Sequence, residues 1–254
     1  MNIEHTADAE RVNAIANHPD VRRWVSTDPD LDLDLAMAVA DPANITLTGE
    51  HGAMLFAFLQ HGVYEAHTMV LPAGRGEWAL NFVQDCLTWV FCRTGAIELM
   101  TRVPKGNLAA RALAKAIHGV YCFTNPDGWV QDGKAIPADI FSLTIHDWMR
   151  TAPKLPERGA WFHKRLEEEF AKGGKREPNH PDDAMHDRYV GAAMEMVFGG
   201  QPDKAVIFYN RFASMANYVP ISVVSRDPVT IDIGNAMIVK SGDDFYVPVI
   251  RDLH

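Results

Sequence analysis

The chain has 254 residues, room for one large domain or two modest ones, and its 47% apolar content excludes a disordered protein. No run approaches the ~20 apolar residues that cross a bilayer, and the polar, acidic start MNIEHTADAERVN reads as neither a signal nor a transit peptide. The net charge is −9 with no basic stripe, so no nucleic-acid partner is expected.

Cys86, Cys92 and Cys122 form no CxxC pair and no disulfide framework, which fits a cytoplasmic site of synthesis. The acidity concentrates at Asp28–Asp34 (DPDLDLD). A solvated loop is the plain interpretation, and an acidic lip for a cationic substrate is the functional one.

In chain order, Ala7–Ala16 reads as a short helix ended by Pro19, Val21–Val25 as a short apolar piece, and Leu33–Ala40 as a further helix. The period then changes. Asn44–Thr48, Ala53–Gln60 and Tyr64–Leu71 read as strands joined by tight turns, an antiparallel meander. Glu77–Arg93 is a long helix, with Trp78, Phe82, Cys86, Trp89 and Val90 at helical spacing. Ala96–Val103 reads as a strand parallel to Tyr64–Leu71, and Asn107 caps a helix running to Ile117. Val120–Phe123 is a short strand, Asn125–Gly133 a set of turns, and Asp139–Ile145 a last strand.

The Pro-rich TAPKLP after Arg150 marks a domain boundary, giving 1–150 and 151–254. Beyond it, a charged helix is expected over Glu157–Ala171 and a polar loop over Lys172–Pro181. Helices at Asp183–Phe198 and Asp203–Asn217 follow, then four short strands: Ile221–Ser225, Val229–Ile233, Ala236–Lys240 and Phe245–Ile250. His180, Asp182, Asp183, His186 and Asp187 have the donor chemistry of a zinc or manganese site. Asp182 or Asp183 serves equally well as a helix cap, and no metal is expected.

The stretch YEAHTMVLPAGRGEWA (Tyr64–Ala79) organises the chain. A strand stopped by Pro72, a glycine-flanked arginine and a helix start at Glu77 direct several backbone N–H groups at one spot. The positive end of the helix dipole adds to them, and such a spot suits an anion.

This order of elements, with LPAGRGEWA and the Asn107-x-x-Ala110 spacing of NLAARALAKAIHGVYCF, resembles the GNAT N-acetyltransferase fold over about residues 1–150. FSLTIHDW is similar to that family's closing strand, and HPDVRRWV near the start fits it as well. The chain also resembles GNAT-like proteins of tailed bacteriophages, including internal virion proteins.

The resemblance implies an α/β fold: a GNAT-like mixed sheet with an antiparallel meander, a central βαβ and a V-shaped splay, carrying a C-terminal α+β extension. It implies acetyl-CoA as acyl donor, held by Val70, Leu71, Gly74, Arg75, Gly76, Glu77, Trp78 and Ala79, with Asn107 beyond. The acceptor would be a small amine or a protein amino group. The alternative is an inactive GNAT-fold assembly protein of a virion, with other virion proteins as partners, and a homo-oligomer fits either.

Acetyl transfer needs a base, and Glu65 and His67 share one strand face by the period of two. His67 titrates near neutrality, which suits the role; Glu98 is a further candidate. Two positions depart from the family's pattern. If Arg75 takes the family's Arg/Gln position, Trp78 replaces the loop's central glycine, unless Gly76 takes over in a shorter loop. Ala114 stands where a tyrosine often protonates the leaving thiolate, and Tyr121 is the nearest tyrosine in sequence.

Overall fold

A computed structural model describes residues 2–28, 30–151, 183–216, 218, 220–232, 236–241 and 244–250. The expected helix Glu157–Ala171 and loop Lys172–Pro181, with His180 and Asp182, lie outside the described residues. The chain divides into two compact units, one of residues 1–91 and 96–151, the other of 92–95 and 152–254.

The first unit is built on a seven-stranded mixed sheet: β1 (Glu4–His5), β2 (Ile45–Gly49), β3 (Gly52–Gln60), β4 (Val63–Val70), β5 (Glu98–Pro104), β6 (Val120–Gln131) and β7 (Lys134–Thr144). Their order is β1-β2-β3-β4-β5-β7-β6. All neighbours run antiparallel except β4 and β5, which are parallel and joined by the long helix α4 (Glu77–Arg93). Helices α1 (Ala9–Ala16), α2 (Pro19–Val25), α3 (Ala36–Ala40), α5 (Leu108–Ala116) and α6 (Ile145–Thr151) complete the unit.

Both faces of the sheet are covered, which is why GAMLFAF in β3 is a continuous apolar run rather than an alternating one. On one face Val12, Ile15, Val21 and Val39 of α1–α3 pack against Leu55 and Met69. On the other, Ala110 and Ala114 of α5 pack against Val103 and Phe141.

Three local expectations are corrected. Pro19 does not simply end α1: it opens α2, where its fixed φ and missing N–H suit a first helical position. Residues 33–35 are not helical, because the N–H groups of Leu33 and Leu35 donate to the side chains of Asn17 and Asn13, at 2.7 and 2.8 Å, which ties this segment to α1. Asn125–Gly133 is not a run of turns. β6 continues to Gln131 through register shifts at Tyr121/Phe123 and Asn125/Trp129, and Asp132 and Gly133 make the turn with φ of 50° and 69°. Pro126 is tolerated there because β6 is an edge strand. The two-residue strand β1 was not foreseen.

The second unit contains helices α7 (Asp183–Phe198) and α8 (Pro202–Ala216). Its antiparallel sheet comprises β8 (Ser222–Arg226), β9 (Val229–Asp232), β10 (Ala236–Ser241) and β11 (Asp244–Ile250), in the order β11-β10-β9-β8. Among the described residues no group of three His, Cys, Asp or Glu could hold a metal ion. His186 Nε2 instead lies 2.9 Å from Tyr209 Oη in an aromatic cluster.

Candidate functional site

The two parallel strands separate. β4 and β5 pair at Val63–Glu98, Tyr64–Leu99 and Glu65–Met100, and no pairing continues beyond. Thr101 Oγ1 donates to the Ala66 carbonyl at 2.9 Å, a side-chain strut where the next ladder bond would fall. From there to Val70 and Pro104 the two strands keep partners only on their outer sides, β3 and β7. The backbone groups facing the gap can therefore accept a ligand that carries amide donors and acceptors.

A cavity of about 100 Å3 runs through this gap. Strand alternation sorts its lining into two chambers. Ala66, Thr68, Val83, Leu99, Thr101 and Ala114 line the side covered by α4 and α5. His67, Met100, Arg102 and Ser142 face the side covered by α2, whose Trp24 and Val25 close over them.

At the open end of the gap β4 runs into a 3-10 turn, Pro72–Gly74, and then into α4. Several N–H groups here are already used. Leu71 N–H donates to His51 O at 2.9 Å, Gly74 to Leu71 O at 2.9 Å and Arg75 to Pro72 O at 3.3 Å. The expectation that Leu71, Gly74 and Arg75 offer backbone donors is therefore corrected. The first intrahelical bond runs from Leu80 N–H to Gly76 O at 3.3 Å, so Glu77, Trp78 and Ala79 keep first-turn donors with no intrahelical acceptor.

Gly76 has φ +85°, and a Cβ built there would meet nothing within 4 Å. The turn requires glycine for its backbone, and its outer side is open. Val70 ends β4 opposite Gly52.

Trp78 does not crowd this turn. Its indole stacks on Phe82 (4.8 Å between centroids, 18° between planes) and lies 5.2 Å from His51. It sits over Gly49, Gly52 and Gly74, each of which would place a Cβ within 3.5 Å of it. The side chain is thus seated against the β2–β3 turn, and it does not line the cavity. Arg75 is half exposed and pairs at 3.9 Å with Asp20 of α2.

Glu65 and His67 do share a face, with Glu65 Oε1 3.9 Å from His67 Nε2. A residue not foreseen, Arg102, determines what each can do. Its Nε and Nη2 donate to the two Glu65 carboxylate oxygens, both at 2.7 Å, a fork-on-carboxylate pair. Burial by itself raises the Glu65 pKa, but the Arg102 hydrogen bonds, with the charges of His67 and Arg102, outweigh it. The carboxyl is held below its ordinary range.

Glu65 is therefore committed as an anion and poorly suited as the base. Burial lowers the His67 pKa, Glu65 pulls it back up and Arg102 adds to the lowering. The net result is an imidazole that is neutral at pH 7 and lines the cavity. Glu98, the other candidate, accepts from Ser142 Oγ at 2.6 Å.

Asn107 Oδ1 accepts from Ala110 N–H at 3.1 Å, capping α5, while the residue also lines the cavity. Tyr121 stands apart. It is half exposed on β6, its hydroxyl lies 2.9 Å from Thr124 Oγ1, and it does not reach the cavity. Among the described residues no tyrosine lines the cavity, and Ala114 is buried.

No family model matches the chain, and no curated protein matches it. Solved structures do. The spermidine N-acetyltransferase from Vibrio cholerae, solved with CoA and spermine, superposes with a TM-score of 0.51 at 12% identity, over 58% of this chain and 97% of that one. A ribosomal-protein-alanine N-acetyltransferase from Brucella melitensis aligns at 16% identity over 57% and 100% of the two chains, with a TM-score of 0.49. A GNAT-family acetyltransferase from Streptococcus pneumoniae aligns at 16% over 57% and 99%, with a TM-score of 0.47. The first of these likenesses establishes the fold: the mixed sheet with its parallel, splayed β4–β5 pair is the GNAT acetyltransferase fold.

Proposed function

We propose that the chain is an acyl-CoA-dependent N-acyltransferase. The observation that carries this is the cavity through the β4–β5 gap, with the neutral His67 on one side and an open helix start at the gap's end. The turn fits the donor's pyrophosphate: the N–H groups of Gly76–Ala79 are available, Gly76 has no Cβ to obstruct approach, and Arg75 supplies a half-exposed positive charge. The unpaired strand edges fit a chain of amides such as pantetheine. Bound acetyl-CoA would supply the thioester acyl group at the gap.

Residues of this chain do the rest. His67 accepts the proton that an ammonium must lose before it can act as a nucleophile, and its lowered pKa keeps it in the accepting form at neutral pH. Glu65 and Arg102 hold each other and fix the field around the imidazole.

The alternative, an inactive GNAT-fold part of a phage particle, loses support from Trp78, whose indole packs on Phe82 and against Gly74 and does not line the cavity. It retains one observation, that among the described residues no tyrosine lines the cavity to protonate a leaving thiolate. Calorimetry with acetyl-CoA on the full chain separates the two. Enzyme function predicts micromolar binding, weakened about 10-fold or more by Arg75→Glu, as expected for a lost charge-assisted contact. No binding at millimolar acetyl-CoA would leave the scaffold.

A further inference from the structure

Most polar side chains along the cavity are already engaged. Thr101 Oγ1 donates to the Ala66 carbonyl, Ser142 Oγ to Glu98, Arg102 to Glu65, and Asn107 Oδ1 caps α5. Thr68 is different. Its hydroxyl makes no hydrogen bond to any described residue, and it is not one of the fully buried polar atoms without a partner, so it meets open space. Thr68 lines the cavity, on a strand flanked by β3 and β5 in a sheet covered on both faces, so that space is the cavity itself.

Thr68 stands opposite Met54 of β3, and opposite residues share a face. Alternation places Glu65 and His67 of β4, with Glu98 and Arg102 of β5, on the other face. The lining around Thr68 is uncharged: Met54, Leu99 of β5, Leu143 of β7, Val83 of α4 and Ala114 of α5. The charged residues of the covering helices, Glu77, Asp85 and Arg93 of α4 with Arg111 and Lys115 of α5, do not line the cavity. Asp139 of β7 lies on this face but pairs with Arg111 at 3.2 Å and stays outside the lining.

Four residues separate Thr68 from Pro72, about 13 Å of strand at ~3.3 Å per residue. An extended pantetheine arm is about as long as four residues of extended chain. A donor whose pyrophosphate rests at the turn therefore brings its sulfur near the level of Thr68.

We propose that Thr68 is a catalytic residue whose hydroxyl donates a hydrogen bond to the thioester sulfur as the C–S bond breaks. This rests on the acyltransferase function proposed above. The nitrogen, relieved of one proton by His67, forms the C–N bond, and the C–S electron pair leaves on sulfur. The second proton shed by the nitrogen converts the thiolate to the thiol. Thr68 keeps its own proton, because an alcohol is a weaker acid than a thiol. An anion forming among apolar side chains is unfavourable, and a single fixed donor counts for more there than in water.

Calorimetry with CoA and acetyl-CoA on the full chain tests this. Only CoA can become a thiolate, so acetyl-CoA corrects for titration of the protein. The ratio of the two affinities is measured at pH about 6.5 and about 9.5, on either side of an ordinary thiol pKa. Thr68→Val, which keeps the shape and deletes the donor, should lower the CoA to acetyl-CoA ratio about 10-fold at the higher pH, the loss expected for one hydrogen bond to a charged group. At the lower pH the ratio should not change, and Thr68→Ser should restore it at both.

A ratio at the higher pH that is the same in Thr68→Val and the unmutated chain overturns the inference alone, as does a Thr68→Val protein that loosens both ligands equally at both pH values. Failure of the unmutated chain to bind either ligand overturns the acyltransferase function and the inference with it.

Discussion

Replacing Trp78 by alanine separates two accounts of the turn proposed to bind the donor's pyrophosphate. If the indole is a packing element beneath the turn, its removal opens a hole bounded by Phe82, His51 and the three glycines. A fully buried Trp→Ala change costs about 3–5 kcal/mol, and Trp78 is half-buried, so about 2–3 kcal/mol is expected, including the stacked pair with Phe82. For a unit of this size that corresponds to a fall in Tm of about 5–10 °C. Acetyl-CoA affinity should fall too, because the first turn of α4 loses its support and its N–H groups are no longer held in place. Thermal unfolding and calorimetry on the same preparation read both effects. A variant that keeps its stability and binds acetyl-CoA more tightly would refute the account, since the indole would then have been occupying the phosphate's place.

The Arg75–Asp20 pair is exposed and worth little, so Asp20→Asn should free Arg75 and tighten acetyl-CoA by about 3-fold at most, read by calorimetry and erased by salt. Asn107→Ala should cost about 1 kcal/mol in chemical denaturation through loss of the α5 cap. His67 has a folded pKa below the unfolded value of 6.5, so the unfolded chain binds more protons between the two. Its contribution to stability is therefore complete above pH 6.5 and declines as pH falls through that window, and His67→Gln should flatten that part of a stability–pH curve. Glu65→Gln removes the charge that raises the His67 pKa, so the imidazole should titrate still lower by NMR; an upward move would contradict the geometry.

The strand–turn–helix at Tyr64–Arg93 was legible because its punctuation is local. Pro72 and Gly76 impose their backbone constraints in any context, and the structure uses them at those positions. The four short strands of the second unit were legible for the same reason, being separated by Pro and Gly pairs. β6 was not, because Asn125, Pro126, Asp127 and Gly128 read as turns wherever they occur, and only an edge position lets a strand absorb them as a bulge. Placing Trp129 in that run of turns hid it from the cavity, which it lines. Arg102 was missed because its role depends on standing beside Glu65, and the register that brings two strands together from residues 37 apart is not written in either one. The use of Leu71 N–H by His51 O is equally non-local.

The seat of Trp78 carries an asymmetry of its own. Each of its three glycines has a second neighbour that would also refuse a Cβ: Phe82 at 2.9 Å from the one at Gly49, the Met69 carbonyl at 2.6 Å at Gly52, and His51 Cβ at 2.6 Å at Gly74. Deleting the indole therefore does not release the glycines, whereas a Cβ at Gly74, 2.8 Å from the indole, displaces it. Dependence runs one way. Along a line of descent the bare position 74 must come before the tryptophan and can outlive it, so sister chains with Gly74 and no indole are permitted intermediates, and chains with the indole and a side chain at position 74 are not.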